Sequence, residues 1–426
     1  MAAGTDPRNT VVNMLFDTFE KGAFSSDVIS RLFNDKKISE RDLGFALSLY
    51  LGTLERLPLI DYSIAAYSKV AFEKIKPTVR NILRISIYQM FFMDSVPERA
   101  AVSEGLRLLE RRNMASLKGY ANGVLRTIQR EGLKEDAPEH VKACAPEWIY
   151  NRLCEDLGKE EAKEFLRACL FKDEGLYVCV NTLISSKEET VKVLEEDGAK
   201  VLDDGRPFML KIALNGRLED TKAFKRGLIY VQSPDPLLAF MDAFKYCKND
   251  KDPLILDVCA APGGKSIDAA IAFPKATVIS RDRSKEKVSL IKENADRLQI
   301  SNIHPQVWDA EIFDDEYKQK ADIVIADLPC SGLGVIGQKP DIKYRLKSRD
   351  IQELSALQMR ILESVSGYVK EGGILIYSTC TLTGEENGEN ALRFSEDPGF
   401  ELLCSRQYLT FNGRADGFYA AVFTKN

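Results

Sequence analysis

Two cysteines stand where thiol chemistry is possible. Cys380 lies in Tyr377–Thr381 (YSTCT), just past a short apolar run. Cys330 lies in Ile325–Gly334 (IADLPCSGLG), three residues beyond Asp327 and at the start of a Gly/Ser loop. A cysteine reacts as its thiolate, and most cysteines in a reducing compartment are inert packing residues. Two of them at the ends of two apolar runs, one beside a carboxylate, point instead to a reactive centre. The chain has nine cysteines with no C-x-x-C pair, and only two histidines, His140 and His304. That inventory argues against a zinc site and against histidine as the general base, so no metal is assigned.

Leu256–Lys265 (LDVCAAPGGK) forms a second cluster. An apolar run ends in Asp257 and Val258, and a small-residue turn with Gly263 and Gly264 leads into a helix. Glycines in such a turn let backbone amides approach the negative end of a ligand. A phosphate-cradling P-loop, G-x-x-x-x-G-K-[ST], is excluded, because its first glycine falls at position 259, which is Cys259. Asp282 closes the next apolar run, nineteen residues after Gly263. Nucleotide-binding α/β folds place a ribose-binding carboxylate at about that spacing. Asp309 follows a third run and is placed to orient an adenine. Acids at successive strand ends favour an adenosine-containing cofactor. Its expected contacts are Cys259, Ala260, Ala261, Pro262, Gly263, Gly264 and Lys265, with Asp282, Asp309 and Asp327.

These residues need a scaffold. Leu254–Val258, Thr277–Ser280, Ile323–Ala326 and Ile374–Tyr377 are short apolar runs of the kind buried in a parallel sheet. Helical stretches at Ser284–Leu298 and Asp350–Val369 separate them. Repeated βα units predict a doubly wound, Rossmann-like domain over 236–426, with ligands at the carboxyl ends of its strands. Residues 136–235 read as a small α+β domain: helices at Glu147–Leu157, Lys159–Cys169 and Lys187–Asp197, and strands at Tyr177–Thr182, Phe208–Leu214 and Gly227–Val231. Asp136, Pro138, Ala145 and Pro146 mark its leading boundary. Residues 1–135 read as an all-α bundle. Val11, Val12, Leu15, Phe16 and Phe19 recur at helical spacing before Gly22, and Ser39 opens a helix carrying Leu43, Ala46, Tyr50 and Leu54. Further helices are predicted over 77–93, 97–112 and 116–131.

A chain of 426 residues with 45% hydrophobic content can build several packed cores, which excludes a disordered protein. It has no run of eighteen apolar residues and no basic-then-apolar segment in Met1–Asn13. A cytoplasmic protein without a membrane partner is therefore expected. The net charge of −5 is uneven: residues 1–132 hold 19 Lys/Arg and 15 Asp/Glu, a local +4 against −9 for the remainder. A basic segment on an acidic protein suits a polyanion, and equally suits a solvated helical surface.

CAAPGGK, DLPCSGLG with the following KPDIKY, and STCT followed by EEN together resemble the motifs of the RNA cytosine-C5 methyltransferases. Within that family the chain is similar to the Sun/Fmu type, which modifies 16S ribosomal RNA. The resemblance covers nearly all of the chain. The helical front resembles the RNA-binding factor NusB, and the ending Arg414–Ala420 (RADGFYA) also fits.

The resemblance implies S-adenosyl-L-methionine as methyl donor and RNA as partner; no obligate protein partner is evident in the sequence, and a monomer is expected. It implies Cys380 as the thiol that adds to C6 of cytosine, Cys330 as the residue serving release, Asp327 as the group stabilising the activated ring, and Lys265 as an aid to positioning. DNA cytosine methyltransferases attack with a Pro-Cys thiol, and Thr379-Cys380 selects the RNA pattern over Pro329-Cys330. Leu328, Gln338, Lys339 and Cys179 depart from the usual motifs, which leaves the RNA target open. Transfer RNA, another ribosomal RNA site, and a non-catalytic assembly factor stand as alternatives. Arg80, Arg84, Arg111, Arg112, Lys118, Arg126 and Arg130 are expected to form a phosphate-tracking face on the first domain.

Overall fold

A computed structural model describes residues 6–34, 38–171, 175–202, 205–214, 216–249, 251–411 and 415–426; Arg414 of the C-terminal motif lies outside them. The chain divides into two compact units, Met1–Leu170 with Ile336–Leu346, and Phe171–Val335 with Lys347–Asn426.

The first unit is helical. Asp6 caps Pro7–Glu20 by accepting the Arg8 N–H (3.0 Å), and Ser39 caps Glu40–Glu55 by accepting the Asp42 N–H (3.2 Å). Prolines open Pro77–Phe92 and precede Glu98–Arg111, where a missing N–H costs nothing. The apolar stripes meet in one core that includes Val11, Leu15, Tyr50, Leu54, Ile82, Leu108 and Leu125. Ser25–Phe33 and Leu57–Tyr67 are further helices, in stretches to which the sequence pattern assigned no element.

This unit continues past the break read at position 135. The Lys134 N–H donates to Ser63 Oγ (3.2 Å), and Arg56 donates to the Leu170 carbonyl (3.3 Å). It also contains the KPDIKY segment, far away in sequence. Asp341 accepts from Ser25 Oγ (2.5 Å) and from the Ser25 N–H (3.1 Å). Lys343 Nζ donates to the carbonyls of Glu55 (3.1 Å) and Cys144 (2.8 Å), and Tyr344 Oη to that of Leu54 (2.6 Å). Arg345 bonds the Gly22 carbonyl (2.6 Å) and lies over Phe24.

The expected phosphate-tracking face needs correction at Arg84. That guanidinium is buried, bonded to both carboxylate oxygens of Asp61 (2.8 and 2.6 Å) and to Asn81 (2.9 Å). A fork–fork pair of this kind satisfies a buried charge internally. Arg80 pairs with Glu20, Arg111 with Asp6, Lys118 with Glu110 and Arg130 with Glu131, so the stripe is largely neutralised by its own surface.

The second unit holds two sheets. The smaller is antiparallel: β1 (Leu176–Val180), β2 (Lys200–Leu202), β3 (Met209–Ala213) and β4 (Ile229–Val231), in the order β2-β3-β1-β4. The larger contains β5 (Leu254–Asp257), β6 (Thr277–Asp282), β7 (Ile303–Val307), β8 (Ala321–Asp327), β9 (Val369–Thr379), β10 (Phe400–Thr410) and β11 (Asp416–Lys425). Its order is β10-β11-β9-β8-β5-β6-β7, with β5 to β9 parallel and β11 antiparallel to both of its neighbours. The C-terminal antiparallel pair was not resolved in the sequence reading.

Successive residues of the central strands enter opposite cores. Ile255, Ile323, Ile325 and Ile376 face one, while Leu256, Val324, Leu375 and Tyr377 face the other. Burial on both sides explains why these strands read as continuous apolar runs rather than as alternations. Val369, read as a helix end, instead opens β9. The helix stops at Ser366, and a register shift follows at Ala321/Ile323, where Gly373 lets the backbones close: a Cβ there lies 2.9 Å from the Ala321 carbonyl.

Candidate active site

The chain leaves β5 toward β6 and β7 on one side and crosses to β8 and β9 on the other. That reversal opens a crevice at the carboxyl ends of the strands. It holds about 950 Å³ of empty space, part of it open to solvent. Cys259, Ala261, Asp282, Asp309, Asp327, Cys330 and Cys380 line it, together with Trp308, Leu328, Pro329, Leu357 and Ile361.

After β5 the turn is pinned to its neighbours: the Val258 N–H bonds the Ile325 carbonyl (3.0 Å) and the Ala260 N–H bonds that of Arg281 (2.8 Å). Gly263 sits at φ +112°, a left-handed conformation suited to glycine, and caps the helix Gly264–Ala272. Ala260 is buried and Pro262 exposed. Burial lifts the Asp257 carboxyl to about 7, and one of its oxygens accepts from Ser266 (2.7 Å). Burial likewise drives the Cys259 thiol far above its ordinary range, which makes it a poor nucleophile.

At the next strand ends, Asp282 accepts the Ser284 N–H (3.1 Å) and stands 3.9 Å from Lys287. Asp309 accepts the Glu311 N–H (3.0 Å). Asp282, Asp309, Glu311 and Asp327 line the crevice against Arg283 and Lys287, an excess of negative charge.

Asp327 ends β8 beside Ser378 of β9, whose hydroxyl donates to it (2.9 Å); Lys265 pairs with it at 2.9 Å. Burial pulls the Lys265 ammonium down, but the attraction and hydrogen bond of Asp327 outweigh this and hold it above the ordinary lysine value. Asp268 and Cys380 add to that attraction. Asp268, raised by burial to about 6, accepts from Tyr230 (2.8 Å) and Gln232 (2.6 Å).

The two cysteines meet. Cys330 Sγ and Cys380 Sγ are 3.2 Å apart, and the Cys380 N–H points at Cys330 Sγ (3.3 Å). The hydrogen bond to Cys380 and burial hold the Cys330 thiol well above its ordinary value. Gly334 makes the approach possible. Its N–H bonds the Cys380 carbonyl (3.0 Å), and a Cβ there lies 2.1 Å from the Gly417 carbonyl. Both thiols stand out in the sequence, whereas Gly334, Trp308 and the buried polar residues that support the loops do not. Only the EEN triplet hinted at the last.

Comparison with known proteins gives this geometry a family. A model described as 16S rRNA methyltransferase RsmB/F matches residues 245–423. Over 410 residues the chain is 33% identical to a probable ribosomal RNA small subunit methyltransferase B of Bacillus subtilis (strain 168), covering 93% of this chain and 90% of that one. The chain belongs to the RsmB/F methyltransferase family. It is an RNA methyltransferase with a NusB domain in front, matched over residues 5–130. Ribosomal RNA small subunit methyltransferase B of Proteus mirabilis (strain HI4320) is 26% identical over 433 residues, 98% of each chain. The crystal structure of PH0851 covers 99% of this chain and 100% of its own, at 25% identity and TM-score 0.80. That of NSun6 from Pyrococcus horikoshii with SFG shares the fold over 66% of this chain and 98% of its own, at 21% identity and TM-score 0.59. Among the described residues no single helix is long and apolar enough to cross a membrane.

Proposed function

We propose that the protein methylates C5 of a cytosine in 16S ribosomal RNA, using S-adenosyl-L-methionine and a covalent Cys380 adduct. The observation that carries this reading is the thiol pair, 3.2 Å apart, in the same crevice as the carboxylates of Asp282, Asp309 and Asp327. The donor set suits the cofactor. Asp282 at the end of β6 can take ribose hydroxyls, Asp309 after β7 can orient an adenine, and the acidic lining favours a cationic sulfonium. When bound, S-adenosyl-L-methionine supplies an electrophilic methyl group.

C5 of cytosine is a poor nucleophile until the ring is activated. Bonding of the Cys380 thiolate to C6 pushes electron density to C5, which then accepts the methyl group. The Lys265 ammonium lies near Cys380 and favours its thiolate, and Asp327, held by Lys265 and Ser378, stabilises the negative charge that builds on the ring by sharing a proton with N3 of the base. Loss of the C5 proton and rupture of the S–C6 bond restore the aromatic ring and return the Cys380 thiolate. Cys330, in contact with that sulfur, serves this release. The base must be unpaired or flipped out to reach the crevice. The names of the small-subunit relatives support 16S ribosomal RNA as the target.

RNA containing 5-fluorocytidine tests the chemistry, because it cannot lose a C5 proton. Mass mapping should place the adduct on Cys380. Cys380→Ala should lose both adduct and methylation, and Cys330→Ala should accumulate adduct on unmodified RNA. Swapped phenotypes would reverse the two roles, and bisulfite sequencing of ribosomal and transfer RNA decides the target.

A further inference from the structure

Glu386 is fully buried and has no role in the chemistry above. One carboxylate oxygen accepts the Ser331 N–H (2.8 Å) and Gln358 Nε2 (3.1 Å); the other accepts the hydroxyls of Ser331 (2.5 Å) and Thr383 (2.7 Å). Ser331 follows Cys330 directly, and Gln358 Nε2 donates its other N–H to the Pro329 carbonyl (2.9 Å), so Cys330 is held from both sides. The Ser331 hydroxyl also meets Thr381 Oγ1 (2.6 Å), the residue after Cys380. Asn387, next in the chain, completes the frame: it accepts from Thr379 (2.5 Å) and donates to the Thr381 carbonyl (3.1 Å), bracketing Cys380.

Four donors fill the acceptor sites of this buried carboxylate, and three of them come from Ser331 and Thr383, on the two segments that carry the thiols. Replacing such a group by an apolar residue of similar size is often tolerated or stabilising, so stability alone is a weak reason for its presence. We propose that Glu386 is a positioning residue for the thiol pair, clamping the loop of Cys330 to the turn of Cys380 so that Cys330 donates its S–H to the Cys380 sulfur. This deepens the reading of Cys380 as the attacking group and rests on it. Around the pair, Lys265 and Asp327 lie on the Cys380 side, Tyr377 lies near Cys330, and Glu386 places its negative charge near Cys330, reinforcing the hydrogen bond and burial that keep that thiol protonated. The clamp thus gives two adjacent thiols different protonation states.

The experiment compares wild-type protein with Glu386→Gln, which keeps the shape and removes the charge. Iodoacetamide labelling across pH, resolved by mass spectrometry, reads the preference for Cys380 over Cys330. We expect about tenfold preference in the wild type, narrowing to about threefold or less in Glu386→Gln, because alkylation follows thiolate content. In the folded variant kcat should fall about 100-fold with the RNA KM changed less than about twofold. A wild-type labelling ratio in Glu386→Gln, with activity falling only as the folded fraction falls, overturns the proposal. Should that variant not fold, Ser331→Ala removes the hydroxyl shared by Glu386 and Thr381 while keeping the charge. Narrowed preference supports the clamp, and an unchanged ratio overturns it. The fluorocytidine adduct on wild-type protein separates the two readings. An adduct on Cys330 sinks the nucleophile assignment and this inference together, whereas an adduct on Cys380 with unaltered labelling in the variants sinks this inference alone.

Discussion

Lys265, paired with the crevice-lining Asp327, and Lys343 in the helical unit are both largely withdrawn from water, and their surroundings differ in one respect. Lys265 meets a carboxylate at 2.9 Å, and its ammonium is held above the ordinary lysine value. Lys343, 4% exposed, meets two backbone carbonyls, and burial pulls it below 10.5. A buried lysine keeps a firm charge only where an opposite charge offsets the lost hydration. The first lysine is half of an ion pair beside the crevice, and its proposed role is electrostatic. The second is a tether, a long stem ending in donors for carbonyls that helices leave open.

The largest expected effect follows from the tether. Removing residues 1–132 takes away Ser25, Leu54, Glu55 and Gly22, which hold Asp341, Lys343, Tyr344 and Arg345. The 336–346 segment should become a proteolytic cleavage site in the truncated protein. A segment that stays protected would break the comparison at its root.

Lys265→Met should lower kcat about 100- to 1000-fold, as for loss of a preorganised charge, or about 3–4 kcal/mol. Lys343→Met should leave kcat per folded molecule unchanged and cost about 1–3 kcal/mol of stability, because two buried carbonyls lose their donor. The lysine also carries a pH signature. Its folded-state value lies below the unfolded one, so wild-type stability should rise with pH toward 10.5, and Lys343→Met should lose that rise. Equal loss of kcat in both variants would erase the distinction between charge and tether.

A smaller effect belongs to Asp257. Its carboxyl is raised from 3.8 to about 7, so the folded state binds the extra proton between those values. Stability should therefore fall as pH rises through that window, by up to about 1.4 kcal/mol per pH unit. Thermal melts at pH 5 and pH 8 should show Asp257→Asn flattening the slope, and an unchanged slope would remove Asp257 as its source.

The parallel strands were legible because a sheet buried on both faces demands apolar runs, and the glycine turn was legible because its backbone conformation restricts residue choice. The thiols stood out through their places at strand ends. Arg84 and Lys343 were misread or unplaced, because a lone charged residue looks solvated until its partner, 23 residues away for Asp61 or 199 for Cys144, is known. The helix end at Val369 was misjudged for a similar reason: pairing with Ala321, not local periodicity, makes it strand.

Alone, the amino-acid order determined the βα alternation, the helical front, the glycine turn after the first parallel strand and the placing of two cysteines at strand ends, since these depend on local periodicity and residue chemistry. Only the tertiary structure decided that Cys330 meets Cys380, that Glu386 binds the loops of both, and that KPDIKY belongs to the helical unit. Contacts between residues 50 to 300 positions apart are set by packing and hydrogen-bond satisfaction in three dimensions, and no local pattern encodes them.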